Sequence, residues 1–214
     1  MIVTFDFRKD GRIGFGPAPK AGRIGAAGWD HLHVSTARND WFLNADTMAV
    51  AAEMAKLVAR YGHVSVLGYS MGAYGALRFA RALGADWAVV VSPFLSILPD
   101  RAPWETRHQE DRPYWQAAGD RVEIPALNHL NGLLVVDPLI EADDRQARAI
   151  AELAPMLQRI DLVGGGHPAT KAQREAGQGA AALAAAMGQD PDGAGLRAAQ
   201  VLATGPIDGS PDSV

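Results

Sequence analysis

The chain has 214 residues, a formal net charge of −4, 48% hydrophobic residues, 21% charged residues and no cysteine. This length predicts one soluble globular domain with a core of its own, and the nearly even charge without a basic stripe argues against a nucleic-acid partner. Without cysteine, the chain cannot form a disulfide, a thiolate metal site or a cysteine nucleophile.

The first residues, MIVTFDFRKDGR, lack the basic and apolar regions of a signal peptide, and no apolar run approaches the length of a membrane span. We therefore expect a cytoplasmic protein with no membrane partner.

Short β-like segments alternate with longer helical segments along most of the chain. The apolar periodicity predicts strands over 2–7, 31–36, 63–69, 87–94, 132–137 and 159–164. It predicts helices over 45–62, 71–84, 144–157 and 169–188. Almost continuously apolar strands separated by helices are typical of a parallel sheet covered on both faces. The predicted fold is α/β, a three-layer doubly wound sandwich of about six parallel strands.

Two segments depart from this alternation. Residues 95–131 are rich in charged and aromatic residues and in proline, and a connection of this length predicts a lid-like insertion. The glycine-, proline- and aspartate-rich segment 189–214 predicts a flexible tail, with a possible short helix at 196–203. The predicted domain therefore covers residues 1–188.

The stretch VSVLGYSMGAYGALRFA, residues 64–80, contains the motif G-x-S-x-G around Ser70. The motif follows a predicted strand and begins a predicted helix, which is the setting of a nucleophile elbow. Glycines at 68 and 72 suit a turn in which side chains two positions to either side of the serine would collide with backbone. The hydroxyl would then emerge at the carboxyl end of the sheet, where open parallel sheets bind ligands.

A serine hydroxyl needs a base to become a nucleophile at neutral pH, and the base needs an acid to orient it. After Ser70 the histidines are His108, His129 and His167. His167 is the best placed, because it follows a predicted strand in the glycine-rich loop DLVGGGHPAT. His108 lies in the insertion, where it can contact substrate.

Several carboxylates follow the predicted strand 132–137, in GLLVVDPLIEADDRQARA. Asp137 is favoured as the orienting acid, because it leaves the strand at the edge where Ser70 should emerge. Glu141 is the second choice and Asp143 the third. Asp143 and Asp144 precede a predicted helix, and an alternative role for both is to cap it.

The elbow, the acid after a later strand and GGGHP after the last strand together resemble the α/β-hydrolase superfamily over about residues 1–187. The chain is similar to its compact bacterial serine esterases and thioesterases, which implies a minimal fold with six strands and no antiparallel edge. The resemblance implies Ser70 as nucleophile, His167 as base and a carboxylate from 137–143 as orienter, with no cofactor.

The expected oxyanion hole combines the backbone amide of Met71, at the start of the helix, with a second amide near Phe7. Superfamily members often have His-Gly in that loop, whereas this chain has Asp6-Phe7. A carboxylate at Asp6 would oppose a developing oxyanion unless a cation paired with it, and Arg8 and Arg12 are the nearby candidates.

The aromatic residues predicted to contact substrate are Tyr69, Trp41, Trp104 and Trp115, although packing in the core would need the same residues. His31 and His33 share one face of a strand, but no partner spacing supports a metal site. Arginines 101, 107 and 112 alternate with carboxylates, which favours a solvated mixed-charge surface.

The sequence thus predicts a serine hydrolase that cleaves a small-molecule ester or thioester. The alternatives are a non-catalytic binding protein that retains the fold, and an acyltransferase.

Overall fold

The sheet consists of six parallel strands in a computed structural model that describes residues 1–20 and 22–203. The strands lie in the order β2-β1-β3-β4-β5-β6, and each pairs in parallel with its neighbours. Their bounds are β1 Ile2–Phe5, β2 His31–Val34, β3 Ser65–Tyr69, β4 Trp87–Val91, β5 Asn131–Val136 and β6 Leu157–Asp161. The predicted fold class is confirmed, and no strand of the described residues runs antiparallel.

The helices fill the connections between the strands and follow the last one. They are α1 Gly22–Ala26, α2 Thr47–Val58, α3 Met71–Ala80, α4 Arg112–Ala118, α5 Glu141–Leu153, α6 Lys171–Glu175, α7 Ala181–Ala186 and α8 Ala194–Ala203. None of these described helices is both long enough and apolar enough to cross a bilayer.

Alternate side chains of the central strands point to opposite faces of the sheet and belong to two separate hydrophobic cores. Helices cover both cores, and this gives the fold its three layers. Ala88 and Val90 of β4 pack with residues of α2, α3, α4 and α5 on one face. Val89 and Val91 pack on the other face with the alanines of α7 and with Leu196 of α8. Side chains of a strand alternate between faces, so both halves of each apolar strand are buried.

The strand order reverses between β1 and β3, because the chain passes from β1 to β2 on one side and returns to β3 on the other. In open parallel sheets, ligands bind outside the carboxyl ends of the strands at such a reversal. The loop after β1 and the turn after β3 therefore border the expected binding crevice.

The segment 95–131, for which a lid-like insertion is predicted, contributes several side chains to the core. Trp115, Val122, Ile124 and Leu127 are buried in the core beside α3. Their apolar side chains are covered by the body of the fold, so the segment is anchored to the core at these positions.

The chain beyond 168 departs from the prediction. The single helix predicted over 169–188 is divided into α6 and α7 around Gly177 and Gly179. In the tail, Leu196 is fully buried and its carbonyl accepts a hydrogen bond of 2.7 Å from the side chain of Gln173. The helix α8, Ala194–Ala203, lies where a possible short helix is predicted at 196–203, and the part of the predicted tail from 204 to 214 lies outside the described residues.

Candidate active site

Ser70 sits in the tight turn between β3 and α3. Its backbone has φ 51° and ψ −119°, a conformation that residues other than glycine rarely adopt. The turn is held by a hydrogen bond of 2.9 Å from the amide of Ser70 to the carbonyl of Val91 on β4. Such strain persists only where the surrounding structure imposes it, and here it directs the hydroxyl away from the sheet.

The glycines on either side of Ser70 are required by close backbone contacts. A Cβ atom on Gly68 would lie 2.2 Å from the carbonyl oxygen of Gly72. A Cβ atom on Gly72 would lie 2.8 Å from the carbonyl oxygen of Phe5 and 2.9 Å from that of Asp6. The second contact also means that the start of α3 packs directly against the loop after β1.

His167 reaches Ser70 from the loop that follows β6. Its Nε2 atom lies 2.9 Å from Oγ of Ser70, although 97 positions separate the two residues in sequence. The hydroxyl can therefore donate its hydrogen to an unprotonated Nε2. The structure brings together the two residues that the sequence analysis selected as nucleophile and base.

The carboxylate next to His167 belongs to Asp143, which corrects the preference for Asp137. Nδ1 of His167 lies 2.7 Å from Oδ2 of Asp143, in the first turn of α5. Asp143 is buried, which by itself would raise the pKa of its carboxyl group. The hydrogen bond from His167 and the positive charge of Arg107 outweigh burial and lower that pKa below its ordinary value.

Asp137 has a different partner set, which explains the correction. Its carboxylate accepts hydrogen bonds from the amides of Gly164 at 3.2 Å and Gly166 at 2.9 Å, and from the amide of Leu139 at 3.0 Å. Asp137 therefore holds the glycine loop that carries His167, while Asp143 contacts the imidazole itself. Glu141, the second choice, is exposed and forms an ion pair with Arg145.

An ionic network supports Asp143, and its arginine also lies beside the imidazole, with Nη1 of Arg107 3.5 Å from Nδ1 of His167. Nη1 of Arg107 lies 2.7 Å from Oδ1 of Asp143, and Nη2 of Arg107 lies 2.7 Å from Oε2 of Glu105. Glu105 is almost fully buried and also accepts a hydrogen bond from Gln146. The sequence analysis assigned Arg107 to a solvated surface, because spacing in the chain does not predict a contact with a residue 36 positions away.

The two residues of the expected oxyanion hole belong to elements that border Ser70. Met71 is the first residue of α3, so its amide has no intrahelical acceptor. Phe7 lies in the loop after β1 and lines the same cavity as Ser70. Within the described residues, no protein acceptor is bonded to the amide of Phe7.

The carboxylate of Asp6 is paired, which removes the objection raised by its position. Oδ2 of Asp6 lies 2.6 Å from Nη1 of Arg12 and accepts a hydrogen bond of 3.2 Å from the amide of Thr36. Burial opposes its ionisation, but these donors lower the pKa of Asp6. Arg8, the other candidate cation, instead pairs with Asp10, Glu110 and Asp111.

A cavity of about 530 Å³ opens beside these groups, within the size range of small-molecule sites. Its wall combines Ser70 and His167 with aromatic, charged and small residues, and the full lining is Phe7, Arg8, Asp10, Tyr69, Ser70, His108, His167, Pro168, Thr170, Lys171, Arg174 and Gly179.

Tyr69 and His108 are uncharged polar residues of this wall. Burial raises the pKa of Tyr69 to about 12, so its phenol stays protonated at neutral pH. Burial, followed by the charges of Arg8 and Arg107, lowers the pKa of His108. His108 has φ 58°, and among the described residues its buried Nε2 has no hydrogen-bond partner. The sequence analysis considered His108 as a substrate contact, and the structure places it in the cavity wall.

The tryptophans predicted to contact substrate do not line the cavity, and this is a second correction. Trp41 and Trp115 are fully buried, with ring centroids 5.5 Å apart, and Nε1 of Trp41 donates to Asp111 at 3.0 Å. Trp104 packs under the guanidinium of Arg145, 5.6 Å from its ring centroid. Their large apolar surfaces fix the 95–131 segment to the body of the protein.

The imidazole rings of His31 and His33 are both hydrogen-bonded to the hydroxyl group of Thr4. Both lie within hydrogen-bond distance of Oγ1 of Thr4, at 2.7 Å and 2.8 Å respectively. Across residues 1–20 and 22–203, no cluster of three or more histidine and carboxylate side chains is arranged to hold a metal ion.

A comparison with models of protein families matches residues 44–147 to the family described as "Putative esterase". The matched segment includes Ser70 and Asp143 and ends before His167. The match supports ester hydrolysis as the class of activity. Searches among curated proteins and among solved structures gave no match.

Proposed function

We propose that the chain is a serine hydrolase of the α/β-hydrolase superfamily, which cleaves a carboxylic ester or thioester through an acyl-enzyme on Ser70. The observation that carries the proposal is the alignment of three groups. Oγ of Ser70 lies 2.9 Å from Nε2 of His167, and Nδ1 of the same ring lies 2.7 Å from Asp143. This is the relation of nucleophile, base and orienting acid in serine hydrolases.

In the acylation step, Oγ of Ser70 attacks the carbonyl carbon of the substrate while Nε2 of His167 accepts its proton. The negatively charged carbonyl oxygen is stabilised by the amides of Met71 and Phe7. The tetrahedral intermediate then collapses, the bond to the leaving group breaks, and His167 donates its proton to the departing oxygen or sulfur. The carboxylate of Asp143 keeps Nδ1 protonated and stabilises the transient imidazolium.

In the deacylation step, water takes the place of the leaving group. His167 accepts a proton from the water as it attacks the acyl carbon, and the same two amides hold the oxyanion. The bond to Oγ then breaks, the proton returns to Ser70, and the carboxylic acid is released. An alcohol in place of water would give acyl transfer by the same steps.

Labelling with a fluorophosphonate, followed by intact-protein mass spectrometry, tests this proposal. We expect one adduct on the wild type and none on Ser70→Ala. Ser35→Ala is the matched control, because Ser35 is an exposed serine directly after another strand of the sheet. It should label like the wild type.

A panel of 4-nitrophenyl esters and acyl-thioesters then tests turnover, which should fall about 10⁴-fold or more in Ser70→Ala. Folded wild-type protein that is neither labelled nor active on any member of the panel would favour the non-catalytic binding protein.

A further inference from the structure

Two cationic side chains from the short helix α6 line the same cavity as the proposed nucleophile. Lys171 and Arg174 are three residues apart, so they lie on one face of the helix. The amide of Lys171 donates to the carbonyl of Pro168 at 2.7 Å, and the amide of Ala172 donates to that of Gly165 at 3.0 Å. These bonds join the backbone of α6 to the loop of His167, so both cations project from a helix that is held close to the base.

Two other cations at the site, Arg8 and Arg107, are neutralised by carboxylates, while Lys9 lies outside the cavity lining with its Nζ 5.2 Å from the centroid of the Phe7 ring. Arg8 pairs with Asp10, Glu110 and Asp111, so its end of the cavity carries an excess of negative charge. Arg107 is held between two further carboxylates. The cavity therefore has an acidic end beside the loop after β1, and a separate end at α6 that is lined by Lys171 and Arg174.

The α6 end has positive charge without a protein counter-charge. In the part of the chain that the structure describes, no carboxylate forms an ion pair with Lys171 or Arg174. Tyr69 lines the same cavity as Arg174, and burial raises the pKa of its phenol to about 12, so the hydroxyl stays protonated at neutral pH. Arginine binds carboxylate and phosphate in a bidentate manner, lysine binds them as a point charge, and a phenol can donate a hydrogen bond.

We propose that the substrate is an ester bearing an anionic group, a carboxylate or a phosphate, which Lys171 and Arg174 bind while Ser70 attacks the ester carbonyl. This inference rests on the proposed hydrolase function and specifies its substrate class. The charged group would lie at the α6 end, and the uncharged part of the substrate would lie toward Phe7, away from the carboxylates around Arg8. The anionic group can belong to the acyl part or to the alcohol part, and the test separates these two cases.

Matched pairs of synthetic esters provide the test. Mono-4-nitrophenyl glutarate, compared with its neutral methyl ester, has the charge in the acyl part. Acetylated 4-hydroxybenzoate, compared with its methyl ester, has the charge in the leaving group. We expect the wild type to prefer the anionic member of at least one pair by about tenfold or more in kcat/KM. The pair in which the preference occurs identifies the part of the substrate that carries the charge.

Neutralising each cation should selectively remove this preference. Lys171→Met and Arg174→Met should each lower kcat/KM for the anionic ester by about 10- to 100-fold, and much more than for its neutral partner. Lys56→Met and Arg81→Met are the charge-matched controls, because both residues are exposed and neither lines the cavity. They should change neither value, and about 0.5 M salt should weaken the anionic preference of the wild type.

The outcomes separate this inference from the function on which it rests. Labelling of Ser70 together with equal use of anionic and neutral esters would overturn the inference and leave the hydrolase in place. The same conclusion follows if the α6 variants lower both members of a pair equally. Absence of both labelling and turnover would overturn the hydrolase and the inference together.

Discussion

Replacing Asp143 with asparagine should disable the imidazole without disturbing the fold. Arg107 donates to Oδ1 of Asp143 at 2.7 Å and remains anchored to Glu105. In Asp143→Asn, the amide oxygen must face this donor, so the NH₂ group faces Nδ1 of His167. Nδ1 then accepts a hydrogen bond, the proton moves to Nε2, and Nε2 can no longer take the proton of Ser70.

The expected loss in kcat is about 10³- to 10⁴-fold, as for serine hydrolases whose histidine is held in the wrong tautomer. At about 1.4 kcal/mol per factor of ten, this is about 4–5.5 kcal/mol of transition-state stabilisation. The substitution is isosteric, and Arg107 keeps its ion pair with Glu105. The variant should therefore stay folded at the assay temperature, with a lower thermal midpoint because the charge pair between Asp143 and Arg107 is lost.

Asp137→Asn is the matched control, because it is the same substitution in a carboxylate at the same sheet edge. The asparagine oxygen can keep the bonds to Leu139 and Gly164, but the bond of 2.9 Å from Gly166 is lost. Losing this bond should cost about 1–3 kcal/mol of stability, which lowers Tm by about 2–12 °C. The loss in kcat should stay within about tenfold.

Hydrolysis of a 4-nitrophenyl ester and thermal unfolding, measured for both variants, test whether Asp143 orients His167 and Asp137 only holds its loop. If Asp143→Asn keeps more than a tenth of the wild-type kcat, Asp143 does not orient the base. If the two variants lose kcat equally while both stay folded, the assignment of separate roles to the two carboxylates is wrong.

Three further predictions follow from the site. Gly72→Ala should lower kcat by about 10²-fold, because its Cβ would push the loop after β1 and its oxyanion amide away, whereas Gly25→Ala, with open space around it, should be neutral. His108→Asn preserves the positive φ, since asparagine tolerates it, and should lower kcat/KM about 3- to 10-fold; an unchanged value would exclude substrate contact. Burial would raise the pKa values of Asp143 and Glu105, but Arg107, together with His167 in the case of Asp143, lowers both below their ordinary values of 3.8 and 4.5. The stability that these carboxylates contribute is therefore complete above their ordinary pKa values and is lost as the pH falls through the lowered pKa values. Urea unfolding should therefore show a falling free energy of unfolding below about pH 4, and a flat profile down to pH 2.5 would contradict this.

The nucleophile turn could be predicted from sequence because its determinants are local. A strand, two glycines two positions from Ser70, and a following helix all lie within about twenty residues. The contact at Gly68 is local, because a Cβ there would lie 2.2 Å from the carbonyl oxygen of Gly72. The contact at Gly72 is tertiary, because a Cβ there would lie 2.8 Å from the carbonyl oxygen of Phe5 at the end of β1, so the motif indicates the glycine but not its neighbour. The parallel sheet was predictable for a similar reason, since continuously apolar strands must be covered on both faces.

The partner of His167 was not predictable, because it depends on where α5 begins. The apolar pattern starts the helix at 144, whereas the structure starts it at Glu141 and so includes Asp143 in the first turn. An aspartate before a helix is normally interpreted as a cap, and only tertiary contacts reveal that this one faces an imidazole. Asp137 lies at the right sheet edge, yet its oxygens are taken up by backbone amides of the His167 loop.

The prediction that the tryptophans contact substrate was wrong for a different reason. An aromatic residue in a charged segment suits a substrate pocket and a core equally well, and composition does not distinguish them. Trp41 and Trp115 pack against each other across 74 positions of sequence, a contact that only the assembled fold creates.

The junction between β6 and α7 concentrates two separate tasks in a single short piece of chain. The imidazole of His167 and the two cations of α6 lie within eight consecutive positions, 167–174, while the hydroxyl that we propose as nucleophile belongs to the turn between β3 and α3. Exchanging this piece for another of equal length, with the histidine retained, would therefore alter which molecules are accepted while leaving the attacking group in place. Substrate preference in this fold could then be changed by replacing one short segment, while the strands and the turn around Ser70 stay as they are.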